Sequence, residues 1–146
     1  MQIVRLSEAS AIAIHAAVLL AVNETVNRTV AEIAETLEVS QDHCAKVMQR
    51  LAKEGLVAAE RGPHGGYRLT KSPAQIRAAD VIAAMEGKIG DSYCLFQNPK
   101  CRFGECLFSG LLREVHERVR SYFESTSLAA MAEKVRKEDV KIPLEV

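Results

Sequence analysis

Three of the four cysteines of this 146-residue chain, Cys94, Cys101 and Cys106, lie in one short stretch, CLFQNPKCRFGEC. The proline and glycine inside the stretch predict a loop rather than a helix. Thiolates are the soft ligands that iron–sulfur clusters require, and such a loop can wrap a cluster. Structural zinc prefers C-x(2-4)-C pairs, which the C-x6-C-x4-C spacing lacks. From the residues alone, the loop could be a disulfide framework, a metal site or a redox switch without metal, or three cysteines brought together by chance.

The compartment bears on what these thiols do. The apolar run Ala9–Val22 is shorter than the roughly 20 residues of a membrane span. Arg5 precedes it as in a signal peptide, but Glu8 offsets the charge and no A-x-A cleavage pattern follows. We therefore expect a cytoplasmic protein without a membrane partner. Stable disulfides are disfavoured in that reducing compartment.

Charge is balanced overall, with 19 Lys and Arg against 19 Asp and Glu. Any binding to nucleic acid must therefore come from a local basic surface. From position 40 to 71 the six Lys or Arg exceed three acids, whereas from 8 to 39 one Arg faces five acids. A basic segment on a neutral body is typical of a domain that reads a DNA groove.

The elements of the first half are predicted from caps and periodicity. Apolar positions recur at helical spacing, serine or threonine precedes each helix, and a Gly/Pro-rich turn separates two short strand patterns. The predicted elements are a buried helix Glu8–Val22 capped by Ser7, a helix Val30–Leu37 opened by the Thr29–Glu32 capping box, a helix Gln41–Glu54 capped by Ser40 and ended by Gly55, and a hairpin Leu56–Thr70. The fold is therefore expected to be mainly α, a winged helix-turn-helix with a small β-hairpin wing.

The fourth cysteine belongs to the predicted core. Cys44, Val47, Met48 and Leu51 follow the i, i+3, i+4, i+7 spacing of one helix face. A buried cysteine behaves as a small apolar residue. Cys44 is therefore excluded from the cysteine site.

Two further helices and a C-terminal segment follow the wing. Ser72-Pro73 opens a helix Ala74–Glu86 that Gly87 ends, and a small amphipathic helix covers Ser127–Lys137. Between them the stripe Phe108, Leu112, Val115, Val119 and Tyr122 steps 4, 3, 4, 3, as in a helix that pairs with another helix. We expect a homodimer built on this long dimerisation helix. The predicted division is 1–87 for DNA binding, 88–107 for the cysteine loop and 108–146 for dimerisation and tail.

The candidate DNA contacts lie on the third helix and the wing. Gln41 and His43 are placed for base edges, and Lys46 and Arg50 for phosphates. The wing turn can reach a minor groove, where adjacent glycines allow a close backbone approach. The full set is Thr29, Ser40, Gln41, His43, Lys46, Arg50, Arg61, His64, Gly65 and Gly66. The alternative is a solvated helix face beside an ordinary hairpin.

The segments VAEIAETLEVSQDHCAKVMQRLAKEGLVAAERGPHGGYRL and AADVIAAMEG resemble the family of the iron–sulfur cluster regulator IscR and the nitric-oxide sensor NsrR. The resemblance runs over nearly the whole chain. It implies a dimeric winged-helix transcription factor that binds double-stranded DNA at palindromic operators. It also implies that Ser40, the helix after it and the Arg61–Tyr67 wing face the DNA.

The same resemblance implies an iron–sulfur cluster, 2Fe–2S or 4Fe–4S, held by Cys94, Cys101 and Cys106. The fourth ligand departs from the family pattern, because Ser109 stands where one member has a histidine. Other members use the first helix of the partner subunit, where this chain offers His15 or Glu8. We favour His15, although Ala11 replaces an acid found near it in relatives. Weaker candidates are Glu105 and His116.

The sequence therefore predicts a transcriptional regulator, a repressor, that senses redox state, iron or nitric oxide through a cluster. The alternatives are a cluster-free or zinc-binding thiol-responsive regulator of the same fold, and a metal-binding partner protein that does not bind DNA. An enzyme is disfavoured, because no paired base, nucleophile motif or phosphate loop accompanies the thiols.

Overall fold

A computed structural model describes residues 6–90, 102–103 and 105–137 of the chain. Cys94 and Cys101 lie outside these residues. No helix within the described ranges is long and apolar enough to cross a membrane. The elements in chain order are α1 (Glu8–Val22), α2 (Val30–Leu37), α3 (Gln41–Lys53), β1 (Val57–Glu60), β2 (Gly66–Leu69), a 3-10 turn (Pro73–Gln75), α4 (Ala78–Glu86), α5 (Leu111–Ser125) and α6 (Leu128–Lys137). The expected winged helix-turn-helix architecture is confirmed.

Helix α1 is the centre of the core. The Ser7 side chain caps it by accepting a hydrogen bond from the Ser10 N–H at 3.1 Å. Helices α3, α4 and α6 all pack against it. Its exposed residues are Glu8, Ala11 and His15, which lie on one stripe because they are three and four residues apart. The predicted burial on more than one side is confirmed, with this stripe as the exception.

The helix-turn-helix is set by local capping. The Glu32 N–H donates to the Thr29 hydroxyl at 3.2 Å, and the Thr29 N–H donates to the Glu32 carboxylate at 2.7 Å. Glu38 ends α2 with a left-handed φ of 55°, and Ser40 then caps α3 by accepting from the His43 N–H at 3.2 Å. The predicted core stripe of α3 is buried, with Cys44 fully inaccessible to solvent.

The helix predicted from Ala74 is interrupted, so its start at Ala74 is wrong. A 3-10 turn covers Pro73–Gln75, Ile76 is extended, and the α-helix begins at Ala78. The Ala78 N–H donates to the Thr126 carbonyl at 2.9 Å, and the Leu128 N–H donates to the Ile76 carbonyl at 2.9 Å. The break lets this segment pair with the start of α6 and buries the Ile76 side chain, which is 1% exposed.

The long helix starts three residues later than its apolar stripe. Ser109 and Gly110 have left-handed φ angles of 49° and 84°, so Phe108 precedes α5 rather than lying in it. The inclusion of Phe108 in the helix is therefore wrong. Helix α5 is strongly amphipathic, yet none of its residues is buried within the described part of this chain. Helix α6, by contrast, packs its own apolar face against the core through Leu128 and Ala132, both fully buried.

Candidate nucleic-acid interface and cysteine segment

The solvent-facing side of α3 carries the predicted DNA contacts. Gln41, Lys46 and Arg50 are exposed, and His43 is half-exposed near the helix start. Ser40 is exposed as well, with its hydroxyl already accepting the capping hydrogen bond. The Thr29 hydroxyl is likewise engaged, in the capping box of α2. The helix therefore presents polar and basic groups along a face that nothing else in the described residues covers.

Sequence reasoning missed an acidic neighbour of this face. The Glu8 carboxylate of α1 lies 3.9 Å from His43 Nδ1, with side chains 76% and 35% exposed respectively. The two residues are far apart in sequence, and only the packing of α1 against α3 brings them together. One candidate cluster ligand thus lies beside a candidate base contact of its own subunit.

The wing is a two-stranded antiparallel hairpin with a third backbone segment on its free edge. Strands β1 and β2 pair from Val57 opposite Leu69 to Glu60 opposite Gly66. On the other side of β2, the Arg28 and Tyr67 backbones exchange hydrogen bonds of 3.0 and 2.7 Å. Gly66 has a φ of 135°, and a Cβ there would lie 2.6 Å from the Arg28 backbone. Gly66 is therefore required by a contact within the protein; its predicted part in approaching DNA stays a prediction.

The tip of the wing projects into solvent. Arg61 and His64 are exposed, as expected for residues that contact a groove. The turn is tight, because the Gly65 N–H donates to the Gly62 carbonyl at 3.0 Å and a Cβ at Gly65 would lie 2.5 Å from the Glu60 carbonyl oxygen. A side chain at Gly65 would therefore force the turn open.

An amide and an ion pair hold the wing near its turn. Asn27 Nδ2 donates to Glu60 Oε2 at 2.8 Å and to the His64 carbonyl at 3.0 Å, while the Arg68 guanidinium pairs with the other carboxylate oxygen of Glu60. Hydrogen bonds from Asn27 and then from Arg68 lower the pKa of the Glu60 carboxyl. Glu60 is therefore held ionised as the common acceptor of this cluster.

A second carboxylate joins α4 to α1 where α4 ends. Glu86 Oε1 accepts the Ser10 hydroxyl at 2.6 Å and the Ser7 N–H at 2.7 Å. These two hydrogen bonds, that from Ser10 first, lower the pKa of the Glu86 carboxyl against a smaller effect of burial. A carboxylate at the positive end of α1 is also favoured by the helix dipole. Glu86 thus fixes the start of α1 next to Gly87, from which the chain leads to the cysteine segment.

The described part of the cysteine segment ends in a tight turn. The Ser109 N–H donates to the Cys106 carbonyl at 2.9 Å, so Cys106 is connected directly to the start of α5. Cys106 is exposed and is not in a disulfide, whereas Cys44 is buried and burial raises the pKa of its thiol. Of the two cysteines that the structure describes, Cys106 is therefore the accessible one.

His15 lies on the same exposed stripe of α1 as Glu8, two turns further along the helix. Its Nδ1 is 2.7 Å from the Ala11 carbonyl, which can only accept, so Nδ1 carries a proton, and in a neutral ring Nε2 would carry the lone pair. It borders a groove of about 440 Å³ with Leu37, Tyr122 and Lys134. Glu105 is exposed and His116 half-buried. The described residues contain no group of three or more His, Cys, Asp or Glu side chains that could hold a metal ion.

Curated relatives of the chain are transcriptional regulators, not enzymes. It is 35% identical over 99 residues to the HTH-type transcriptional regulator IscR of Xenorhabdus nematophila, a match that covers 67% of this chain and 60% of the relative. It is 33% identical over 113 residues to IscR of Serratia proteamaculans, covering 77% and 66% respectively. The chain thus spans about 60 to 66% of the length of these curated relatives.

Solved structures share the fold. CymR, the global cysteine regulator of B. subtilis, matches with a TM-score of 0.76 at 23% identity, covering 90% of this chain and 98% of CymR. IscR of T. potens matches with a TM-score of 0.74 at 22% identity, covering 94% and 92%. At these identities the likeness supports the fold. A family model described as Rrf2, iron-dependent transcriptional regulator, matches residues 6–134. The chain therefore belongs to the Rrf2 family of transcriptional regulators.

Proposed function

We propose that this chain is a DNA-binding transcriptional repressor that binds a palindromic operator as a homodimer. The observation that carries the proposal is the exposed basic and polar face of α3 next to the wing, on a chain of zero formal net charge. A recognition helix enters the major groove with residues near its N-terminus at base edges. In this arrangement Gln41 and His43 read bases, Lys46 and Arg50 hold phosphates, and the wing tip reaches the adjacent minor groove.

Binding of duplex DNA at several salt concentrations tests this proposal. Replacing Arg61 with Ala removes an exposed cation from the wing tip, so affinity should fall and the slope of log K against log salt should decrease by about one. Lys137→Ala, which removes an exposed cation from the end of α6, away from both the wing and the α5 stripe, is the control and should change neither quantity. If Arg61, Lys46 and Arg50 can each be replaced by Ala without loss of affinity, this surface is not the DNA interface.

We further propose that Cys94, Cys101 and Cys106 hold an iron–sulfur cluster. The donor set supports this, because the C-x6-C-x4-C loop supplies three soft ligands and Cys106 is an accessible thiol outside any disulfide. When bound, such a cluster supplies an iron centre that responds to redox change, iron supply or nitric oxide. Cys106 adjoins α5 through the turn to Ser109, so ligation of its thiol is connected to the helix proposed to pair the subunits.

The fourth ligand is proposed to come from α1 of the other subunit. The exposed stripe of this otherwise buried helix contains both candidates, Glu8 and His15. The hydrogen bond of Nδ1 to the Ala11 carbonyl leaves Nε2 of the neutral ring as the metal-binding nitrogen, and a ring N–H bonded to a carbonyl is the common arrangement for metal-binding histidines. Glu8 faces His43 instead, so its use as a ligand would compete with that contact. His15 is therefore preferred.

Iron content and visible spectra of protein purified without oxygen test the cluster. Cys106→Ala should lose iron and visible absorption, because an accessible ligand is removed, while Cys44→Ala, the matched control, should keep both. His15→Ala and Glu8→Ala then separate the two candidates for the fourth position. A Cys44 variant without iron, beside a Cys106 variant with full iron, would contradict the assignment.

A cluster-free regulator that responds through its thiols is the second candidate. It is favoured by the exposed Cys106 thiol and by the similarity of the fold to Staphylococcus aureus CymR, which has also been solved in an oxidised form. In that case protein purified without oxygen would contain no iron. Peroxide would then change its DNA affinity, and a thiol reductant would reverse the change.

A further inference from the structure

The contacts at the turn end of the wing identify a residue, Asn27, that is not among the candidate DNA contacts. Asn27 belongs to the loop between α1 and α2, two residues before the cap of α2 at Thr29. Its amide group donates to the Glu60 carboxylate, where β1 ends, and to the His64 carbonyl, in the turn. One side chain thus bonds the wing at two points, 33 and 37 residues away along the chain.

We propose that Asn27 is a positioning residue, which fixes the orientation of the wing relative to the helix-turn-helix. The proposal rests on the proposed function, since an oriented wing matters here for binding DNA. Asn27 does not need to contact DNA itself. Its two hydrogen bonds hold the backbone of His64, and through it the exposed tip that carries Arg61, at a fixed place relative to α2 and α3.

The contacts of the next residue show why the Asn27 side chain matters for the position of the turn. The next residue, Arg28, pairs its backbone with Tyr67 on the free edge of β2. That pairing anchors β2 at its second residue but does not involve the turn, residues 61–65. The Asn27 side chain reaches the turn itself, through its hydrogen bond to the His64 carbonyl. Loss of its amide would leave the base of the wing paired and release the tip.

The charge on Glu60 strengthens the same contact. Arg68 on β2 bonds to the other carboxylate oxygen, and the pKa of the Glu60 carboxyl is lowered. An ionised acceptor makes the Asn27 hydrogen bond stronger than a neutral pair of the same length. An exposed acid on a DNA-binding wing also opposes binding unless it is engaged within the protein. Asn27 and Arg68 both bond to the Glu60 carboxylate, and so hold this charge within the protein.

Binding to operator DNA and hydrogen exchange of the free protein test the proposal. Asn27→Ala should weaken binding about ten-fold, the equivalent of one lost hydrogen bond to a charged group. Because no phosphate contact is removed, the salt slope should stay at its wild-type value, unlike that of Arg61→Ala. Amide exchange in residues 61–66 should become faster while that of α1 and α3 is unchanged.

Two variants sharpen the result. Thr25→Ala is the matched control in the same loop, because Thr25 bonds to Asn23 and not to the wing. It should bind as the wild type does. Asn27→Asp keeps the shape of the side chain but loses both donors, so it should bind at least as weakly as the alanine variant, and it carries the test if that variant does not fold.

Each outcome is decisive. Wild-type protein that binds no duplex DNA overturns the proposed function, whatever Asn27 does. Wild-type and Asn27 variants that bind alike overturn the positioning role and leave the proposed function standing. A weakened variant whose salt slope falls by about one would make Asn27 a phosphate contact, which also overturns the positioning role.

Discussion

At the scale of single residues, a carboxylate that accepts hydrogen bonds from two groups tells more about the fold than the number of charges does. Glu86 stands at the carboxyl end of α4, where a negative charge opposes the helix dipole, yet it also stands at the favourable end of α1. Its hydrogen bonds from Ser10 and Ser7 offset the unfavourable position. Because Ser10 is fully buried, its hydroxyl needs this acceptor.

The lowered pKa of Glu86 predicts an acid-dependent part of the stability. A carboxyl whose pKa is lower in the folded than in the unfolded chain stabilises the fold above its unfolded pKa of about 4.3, and this stabilisation is lost as the pH falls through the folded pKa. Because solvent screens an exposed carboxylate, Glu86→Gln should cost only roughly 0.5 kcal/mol at pH 7, and the difference from wild type should shrink below about pH 4.3.

Urea unfolding between pH 7 and pH 3.5, at one protein concentration, measures this difference. Glu35→Gln, a change at an exposed position of α2, is the control and should leave the curve close to wild type. If Glu86→Gln loses stability by the same amount at every pH, ionisation of Glu86 does not contribute to folding, and the cost comes from packing alone.

At the scale of elements, the sequence predicts correctly those helix starts and buried faces that depend on residues close together in the chain. The caps at Ser7, Thr29 and Ser40 and the buried stripe of α3 follow from residues within one or two helical turns of each other. The break at Ile76 does not, because it depends on backbone pairing with residues 126–128, about fifty positions away. Nothing in the sequence near Ile76 indicates that pairing.

The same distinction applies to the candidate sites. The exposed face of α3 could be read from its periodicity, since the core stripe fixes the opposite side. The contacts of Asn27 with the wing and of Glu8 with His43 could not, because each joins segments separated by more than thirty residues. Phe108 shows a converse error: its spacing fits the stripe of α5, but the left-handed backbone at Ser109 and Gly110 removes it from the helix.

At the scale of the whole molecule, the apolar surface that the described residues leave exposed is concentrated around α5. Phe108 is 46% exposed, Leu111 53% and Tyr122 50%, and Phe103 and Leu107 add to the same end of the chain. Helix α5 is amphipathic, yet none of its residues is buried within the described part of the chain, so its apolar face is left uncovered there. Contiguous apolar patches of this kind mark protein interfaces. We propose that a second copy of the chain covers this surface, since the stripe has the spacing of paired helices.

The dimer is therefore predicted to depend on the α5 stripe. Leu112→Asp places a charge on the apolar stripe, where burial against a partner helix would leave it unpaired, so sedimentation velocity should show monomers. Ser121→Asp adds the same charge to an exposed position of α5 off the stripe, and it should sediment as the wild type does. Monomeric Leu112→Asp should also bind a palindromic operator far more weakly than the dimer, because each head then binds its half-site without the other. A Leu112→Asp protein that remains dimeric would place the interface elsewhere.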